Sequence, residues 1–153
     1  MNPRNVNVRV LLLDDHPGIL RQVAALLPAG FEVVAALDDA TALATAMEKH
    51  KPDIVVLDIS LPGTSGIDLA AQLRRSHPLV KLVFLTVHDD ADYARAGFAA
   101  GGDGYVIKAR LGTDLSRALE AAMAGRRFIS KGAAQDGLKD EAWLNADSSH
   151  KHN

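Results

Sequence analysis

The sequence predicts an α/β fold in which five parallel strands form one doubly wound sheet with helices on both faces. Three observations carry that prediction. Short apolar runs recur along the chain, among them Val10-Leu11-Leu12-Leu13, Ile54-Val55-Val56-Leu57, Leu82-Val83-Phe84-Leu85 and Tyr105-Val106-Ile107. The runs are apolar at consecutive rather than alternate positions, as in strands buried on both faces. Between them lie segments whose apolar residues repeat at helical spacing. Strand and helix therefore alternate, and each crossover returns a strand parallel to the last.

The elements follow in order. The first strand is expected over 8–13. A helix follows Pro17, whose missing N–H would be unpaired in a first turn anyway. Its residues Ile19, Leu20, Val23, Leu26 and Leu27 share one face, and Pro28 and Gly30 end it. The second strand covers 31–37. Asp38 or Asp39 can cap the second helix, which runs to about His50. Pro52 breaks the chain before a third strand over 53–58. Leu61-Pro62-Gly63-Thr64-Ser65-Gly66 is a loop by its turn chemistry. The third helix spans 66–76 with Ile67, Ala70 and Leu73 inward, and His77-Pro78 stops it.

The fourth strand is expected over 80–86. The fourth helix starts near Asp89 and breaks at Gly101-Gly102; Gly97, Gly101 and Gly102 should leave it and its exit loop little stiffness. The fifth strand covers 104–107. Thr113 or Asp114 can cap the fifth helix, whose stripe is Leu115, Ala118, Leu119, Ala122 and Met123. The alternation suits the flavodoxin-like order 2-1-3-4-5, and by itself also admits other doubly wound orders. Residues 1–6 read as an N-terminal arm and 7–130 as the domain. Residues 131–153 read as a polar tail or linker, in which 133–144 could form one short helix carrying Leu138, Trp143 and Leu144.

Composition narrows the function. A chain of 153 residues can build one full-sized core. Lys and Arg number 17 against 19 Asp and Glu, for a net charge of −2. No basic run offers a footprint for a phosphate backbone, so direct nucleic-acid binding by this chain is not expected. The absence of cysteine removes disulfides, thiolate ligands and cysteine nucleophiles, and fits a reducing compartment. No apolar stretch approaches the ~18 residues that span a bilayer, and the N-terminus lacks a signal-peptide core. A cytoplasmic protein with no membrane partner is expected.

The chemistry is written at the strand ends. In an open parallel sheet, ligands bind outside the carboxyl ends of the strands. Asp14-Asp15 end the first run, Asp58 the third, Thr86 the fourth and Lys108 the fifth. With the first and third strands adjacent, three carboxylates crowd together and raise one another's pKa values unless a cation intervenes. Mg²⁺ suits them, as a hard ion with oxygen ligands. Asp58 would be both a ligand and the group placed to attack phosphorus, since carboxylates are established nucleophiles for acyl phosphate formation. What remains is positioning and charge neutralisation, which Mg²⁺, Lys108 and the Thr86 hydroxyl can supply. Singly, these residues have plainer readings as a helix cap, a loop-starting aspartate, a β-branched strand residue and a solvated charge. Jointly, at neighbouring strand ends, they read as one site.

The motifs Leu13-Asp14-Asp15-His16-Pro17, Asp58-Ile59-Ser60-Leu61-Pro62-Gly63-Thr64-Ser65-Gly66, Leu85-Thr86 and Gly101-Gly102-Asp103-Gly104-Tyr105-Val106-Ile107-Lys108 resemble the receiver domain of a two-component response regulator. The resemblance covers about residues 7–130. The stretch 111–130, with Gly125-Arg126-Arg127-Phe128-Ile129-Ser130, resembles the end of receivers in the subfamily that carries a LuxR-type helix-turn-helix. The resemblance implies Asp58 as phospho-acceptor, with Asp15 binding Mg²⁺ directly, Asp14 through water and the Ser60 carbonyl as a further ligand. It implies that Lys108 pairs with the phosphoryl group, that Thr86 moves toward it, and that Tyr105 turns inward behind Thr86. The implied partners are a sensor histidine kinase or phosphotransfer protein, and a second copy on phosphorylation. The chain departs from the pattern in carrying Ala109 where many receivers have proline. It also stops about where the helix-turn-helix would begin, as an excised or a stand-alone receiver would.

Other readings fit less well. His16 and His88 flank the site, but carboxylates suit Mg²⁺ better than imidazole; His88, two positions past Thr86, is placed to modulate water access. A phosphatase with an aspartate nucleophile commonly has Asp-x-Asp after its first strand, whereas Asp14 and Asp15 are adjacent. A flavodoxin-like cofactor binder needs a phosphate loop where Asp14-Asp15-His16-Pro17 would repel one. A pseudo-receiver acting by dimerisation alone would not need the acceptor, acid pair, threonine and lysine together.

Overall fold

A computed structural model describes residues 7–132, and within them strand and helix alternate as expected. In chain order the main elements are β1 (Val8–Leu13), α1 (Pro17–Ala25), β2 (Phe31–Leu37), α2 (Leu43–His50), β3 (Ile54–Asp58), α3 (Gly66–Ser76), β4 (Lys81–Thr86), α4 (Ala91–Ala99), β5 (Gly104–Ile107), α5 (Leu111–Met123) and β6 (Phe128–Ile129). The loop expected after β3 is tightened by a separate antiparallel pairing of Ser60–Leu61 with Thr64–Ser65. The sheet order is β2-β1-β3-β4-β5-β6, parallel throughout. The expected 2-1-3-4-5 core is present, and the two-residue β6 extends it beside β5. The expected arm 1–6, the short helix over 133–144 and Trp143 lie outside the described residues.

Alternation along each strand divides the core. Leu11, Leu13, Val55, Leu57 and Phe84 face one side with Met47, Leu73 and Phe98. Val10, Leu12, Val56 and Leu85 face the other with Val23, Leu115 and Leu119. All five residues of β3 are buried, including Asp58 at its end. Asp14 and Thr86 are likewise buried at the corresponding ends of β1 and β4. A buried carboxylate is costly unless paired, so Asp14 and Asp58 need partners at this edge.

The helix starts show local chemistry at work. Ser65 accepts the Ile67 N–H and caps α3, and Asp90 accepts the Asp92 N–H and caps α4. Asp39 caps a 3-10 turn over Ala40–Ala42 that leads into α2. The fifth helix departs from expectation. A 3-10 turn over Lys108–Arg110 feeds straight into α5 at Leu111, so Thr113 and Asp114 lie inside the first turn rather than capping it. The glycines of α4 also have a different purpose from the one expected. A Cβ on Gly97 would stand 2.9 Å from Phe84 Cε2, and one on Gly102 2.5 Å from the same atom. These positions are bare because the end of α4 closes directly onto a buried ring, which is tight packing rather than looseness. Among the described residues no helix is long and apolar enough to cross a membrane.

Candidate functional site

The register of the sheet assembles the site. Leu13 pairs with Leu57, and Asp58 pairs with Leu85, so the residues following β1, ending β3 and ending β4 arrive at one edge. Thr86 pairs with Ile107, which brings Lys108 to the same edge. Ligand oxygens of Asp14, Asp15 and Asp58 and a ring nitrogen of His16 lie within 4.8 Å of one another. Lys108 Nζ stands 2.8 Å from Asp14 Oδ2 and 3.1 Å from Asp58 Oδ2, with its side chain 10% exposed. The contact with Asp58 is a hydrogen bond; that with Asp14 is an ion pair by distance, without the alignment of a directed hydrogen bond. Asp58 Oδ1 accepts the Ser60 N–H at 3.0 Å. Asp14 Oδ1 accepts the His16 N–H at 2.9 Å.

The electrostatics match the crowding. Burial pushes the Asp58 carboxyl above its ordinary range, with the Asp14 charge adding to that and the Ser60 N–H and Lys108 opposing it. Burial alone would lower the Lys108 ammonium, but Asp14 and Asp58 together outweigh it and hold the group above its usual value. Asp15 Oδ1 is buried, accepts no hydrogen bond and faces His16 Nδ1 at 3.2 Å. A hard divalent cation fits the three carboxylates of this cluster, which are anionic oxygen donors with buried oxygens on Asp14 and Asp15 that accept no hydrogen bond. Ser60 brings its N–H to Asp58 and its hydroxyl to within 3.3 Å of His88 Nε2.

Thr86 and Tyr105 are joined at the adjoining edge. Thr86 Oγ1 accepts the His88 N–H at 2.9 Å. Tyr105 is fully buried and turned inward, and its hydroxyl donates to the His88 carbonyl at 3.0 Å. Burial pushes its phenol up to about 12, with the neighbouring Thr86 side chain opposing the shift. The His88 ring stacks on Tyr93 at 4.1 Å between centroids. His88 thus ties the Asp58 loop to α4, a link the sequence suggested only through its position. Asp14, Asp15, Asp58, Ser60, Thr86, Tyr105 and Lys108 all come to this edge. His16 joins them through Asp14, whose carboxylate takes both the His16 N–H and its ring nitrogen in a local turn; neither aspartate caps α1, which starts from His16 without a side-chain cap.

The raised Asp58 pKa makes a stability prediction. A carboxyl that holds its proton more tightly folded than unfolded favours folding below the unfolded pKa. That contribution is lost as pH rises through the raised folded value. At neutral pH the ionised Asp58 therefore weakens the metal-free fold, while Lys108 keeps Asp14 as a partner. Asp58→Asn should raise the melting midpoint in EDTA at pH 7 by ~3–5 °C, the effect of ~1 kcal/mol in a domain of this size. The gain should shrink as pH falls toward 4. Calorimetry across that range would show no gain at pH 7 if Lys108 compensated Asp58 completely.

Comparisons with known proteins agree with this geometry. The family model for the response regulator receiver domain matches residues 10–120. The response regulator GacA of Pseudomonas viridiflava is 33% identical over 132 residues, covering 84% of this chain and 61% of GacA. The DNA-binding transcriptional activator DevR/DosR of Mycobacterium tuberculosis is 34% identical, over 83% of this chain and 59% of that protein. The crystal structure of a LuxR-family two-component response regulator from Aurantimonas sp. SI85-9A1 is similar with a TM-score of 0.81 at 34% identity, covering 90% of this chain and 99% of that one. The isolated receiver domain of RcsB from Salmonella enterica serovar Typhimurium, with the phosphomimetic BeF₃⁻, gives 0.79 at 28% identity, covering 84% and 97%. The chain spans 43% to 61% of the length of the first curated relatives it matches. With the match covering most of the sheet and every strand end that builds the site, the chain belongs to the response regulator receiver domain family of two-component signal transduction.

Proposed function

We propose that this receiver is a phosphorylation-dependent switch that accepts a phosphoryl group on Asp58 in the presence of Mg²⁺. The observation that carries the reading is Lys108 Nζ poised between Asp14 and Asp58, beside an acid pair with an unsatisfied buried oxygen. Asp14 and Asp15, with Asp58 and the Ser60 carbonyl, would hold the cation. Bound Mg²⁺ supplies Lewis-acid charge for the phosphoryl oxygens and lowers the repulsion among the carboxylates. An Asp58 oxygen attacks phosphorus as the bond to the donor breaks, and the donor leaves with the electron pair. Lys108, freed from its carboxylates, pairs with one phosphoryl oxygen as a point charge. The Thr86 hydroxyl donates to another. Water later attacks phosphorus and returns Asp58, so the module is a self-limiting switch rather than an enzyme with a separate substrate.

The signal leaves through α4, β5 and α5. Thr86 Oγ1 now holds the His88 N–H and neighbours the Tyr105 hydroxyl. Drawing Thr86 onto a phosphoryl oxygen removes that support from the loop preceding α4, while Tyr105 occupies the inward pocket behind it. A local charge event then biases a two-state surface. On this reading a sensor histidine kinase or phosphotransfer protein donates the group in the cytoplasm. The α4-β5-α5 face, or the neighbouring α1, pairs with a second copy, and residues 131–153 act as a tail or linker. Similar structures include the response regulator RcsB in complex with DNA; by analogy the switch would govern transcription through a domain other than this receiver.

Intact-mass analysis with acetyl phosphate and Mg²⁺ tests the reading. One labile phosphoryl group per chain is expected, abolished by EDTA and by Asp58→Asn. Light scattering of the labelled sample should report a dimer. Undiminished labelling of Asp58→Asn, or an unlabelled wild type with Mg²⁺ present, would end it.

A further inference from the structure

Ala109 brings no ring to fix the backbone after Lys108, yet the chain turns tightly there through the 3-10 turn of Lys108–Arg110. Beneath that turn lies a buried polar chain. Asp114, 1% exposed on the first turn of α5, accepts on Oδ2 both Arg110 Nε at 2.9 Å and Ser130 Oγ at 2.7 Å. Ser130 is fully buried and accepts the Ile107 N–H on Oγ at 3.0 Å, while its own N–H donates to the Tyr105 carbonyl at 2.9 Å. β6 is only two residues long, so the Ser130 hydroxyl supplies the next rung of its ladder to β5. Ile107, which precedes Lys108, and Arg110, which closes its turn, are thereby anchored on a single carboxylate oxygen. An apolar side chain at 114 would pack beside Leu111 and Leu115 without the cost of burying a carboxylate. The charge is retained where it fixes backbone on both sides of the lysine.

We propose that Asp114 and Ser130 are positioning residues for Lys108, holding its backbone so that Nζ stands between Asp14 and Asp58. The proposal rests on the receiver reading of the site. Neither residue touches the phosphoryl group; each acts through the ammonium. The network does the work of a rigid residue at 109 by hydrogen bonding from below. A loosened turn leaves Lys108 charged but misplaced, and misplacement of a preorganised charge lowers rate without altering the carboxylates that bind metal.

The test uses Ser130→Ala, which removes both hydroxyl bonds without adding bulk. Labelling by acetyl phosphate at saturating Mg²⁺, followed by intact mass, should slow about 5- to 10-fold, as expected for the loss of a modest buried hydrogen-bond pair. The Mg²⁺ affinity read from amide shifts should stay within about 2-fold, and Ser130→Thr, which keeps the hydroxyl, should recover most of the rate. In a Lys108→Ala background, Ser130→Ala should cause no further slowing, since residues acting through one group are not additive. Should Ser130→Ala fail to fold by circular dichroism, Arg110→Ala removes the half-exposed arm of the network and carries the same expectation. Wild-type labelling by a folded Ser130→Ala, or equal slowing with and without Lys108, would overturn the proposal. A wild type that does not label would overturn the phospho-acceptor reading itself, whereas Lys108→Ala labelling at the wild-type rate would take Lys108 out of the phosphoryl contact and overturn the positioning proposal with it.

Discussion

Lys108→Ala is expected to slow phosphoryl uptake on Asp58 by ~10²- to 10³-fold, the usual cost of removing a preorganised charge from developing phosphoryl charge, while Mg²⁺ binding is kept or tightened. The two halves of that result come from one geometry. Lys108 Nζ lies 2.8 Å from Asp14 and 3.1 Å from Asp58, so in the metal-free site it neutralises the carboxylates a cation would use. Removing it abolishes a competitor for metal. It also leaves two buried carboxylates facing each other, so the metal-free variant should be less stable and its melting midpoint more dependent on Mg²⁺. The carboxylates hold the ammonium above its ordinary pKa, so titration of the lysine cannot account for a rate change between pH 6 and 9. A labelling time course alongside a Mg²⁺ titration separates the roles. A tenfold or greater loss of metal affinity would make Lys108 a structural support of the metal site, and an unchanged labelling rate would remove it from the phosphoryl contact.

The heart of the site was legible because Asp14-Asp15, Asp58, Thr86 and Lys108 each end an apolar run, whereas Ser60 and Tyr105 entered only through the resemblance. The run Ile54-Val55-Val56-Leu57 is short, β-branched and preceded by Pro52, which reads as buried strand and puts the aspartate that follows at a strand end. Four such breaks, with the order of the strands, put the residues on one edge. What was not legible depends on partners distant in sequence. β6 is two residues after Gly125, too short to show periodicity, and exists because it pairs with β5. Asp114 near a helix start reads as a cap, but it lies inside the first turn of α5, and its partner Ser130 is sixteen positions away with no local pattern to announce it. Gly97 and Gly102 read as weak points by propensity. Their reason is the Phe84 ring from the preceding strand, a tertiary contact that propensity cannot contain.

Gly66→Ala provides the sharpest case, because propensity and structure predict opposite signs. Gly66 opens α3, and alanine in a helix ordinarily gains ~0.5–1 kcal/mol over glycine. Here a Cβ would collide with the Asp58 carbonyl oxygen, and would stand 2.8 Å from Ile59 Cα and 2.9 Å from the Asp58 carbonyl carbon. These are backbone atoms, and the Gly66 N–H is itself tied to the Ile59 carbonyl at 2.7 Å, so neither side can give way without moving the acceptor. We expect a loss of about 3 kcal/mol, at the upper end of overpacking costs, and a melting midpoint lowered by ~10 °C. The displaced backbone is that of Asp58, so Mg²⁺ affinity and labelling rate should both fall at temperatures where the variant is still folded. Gly112→Ala is the control. It lies in α5 with nothing within 4 Å of its Cβ position, and should stabilise by ~0.5–1 kcal/mol with labelling unchanged. If calorimetry found Gly66→Ala as stable as Gly112→Ala, or if it labelled at the wild-type rate, the close seating of α3 against the acceptor would not be what fixes Asp58 in place.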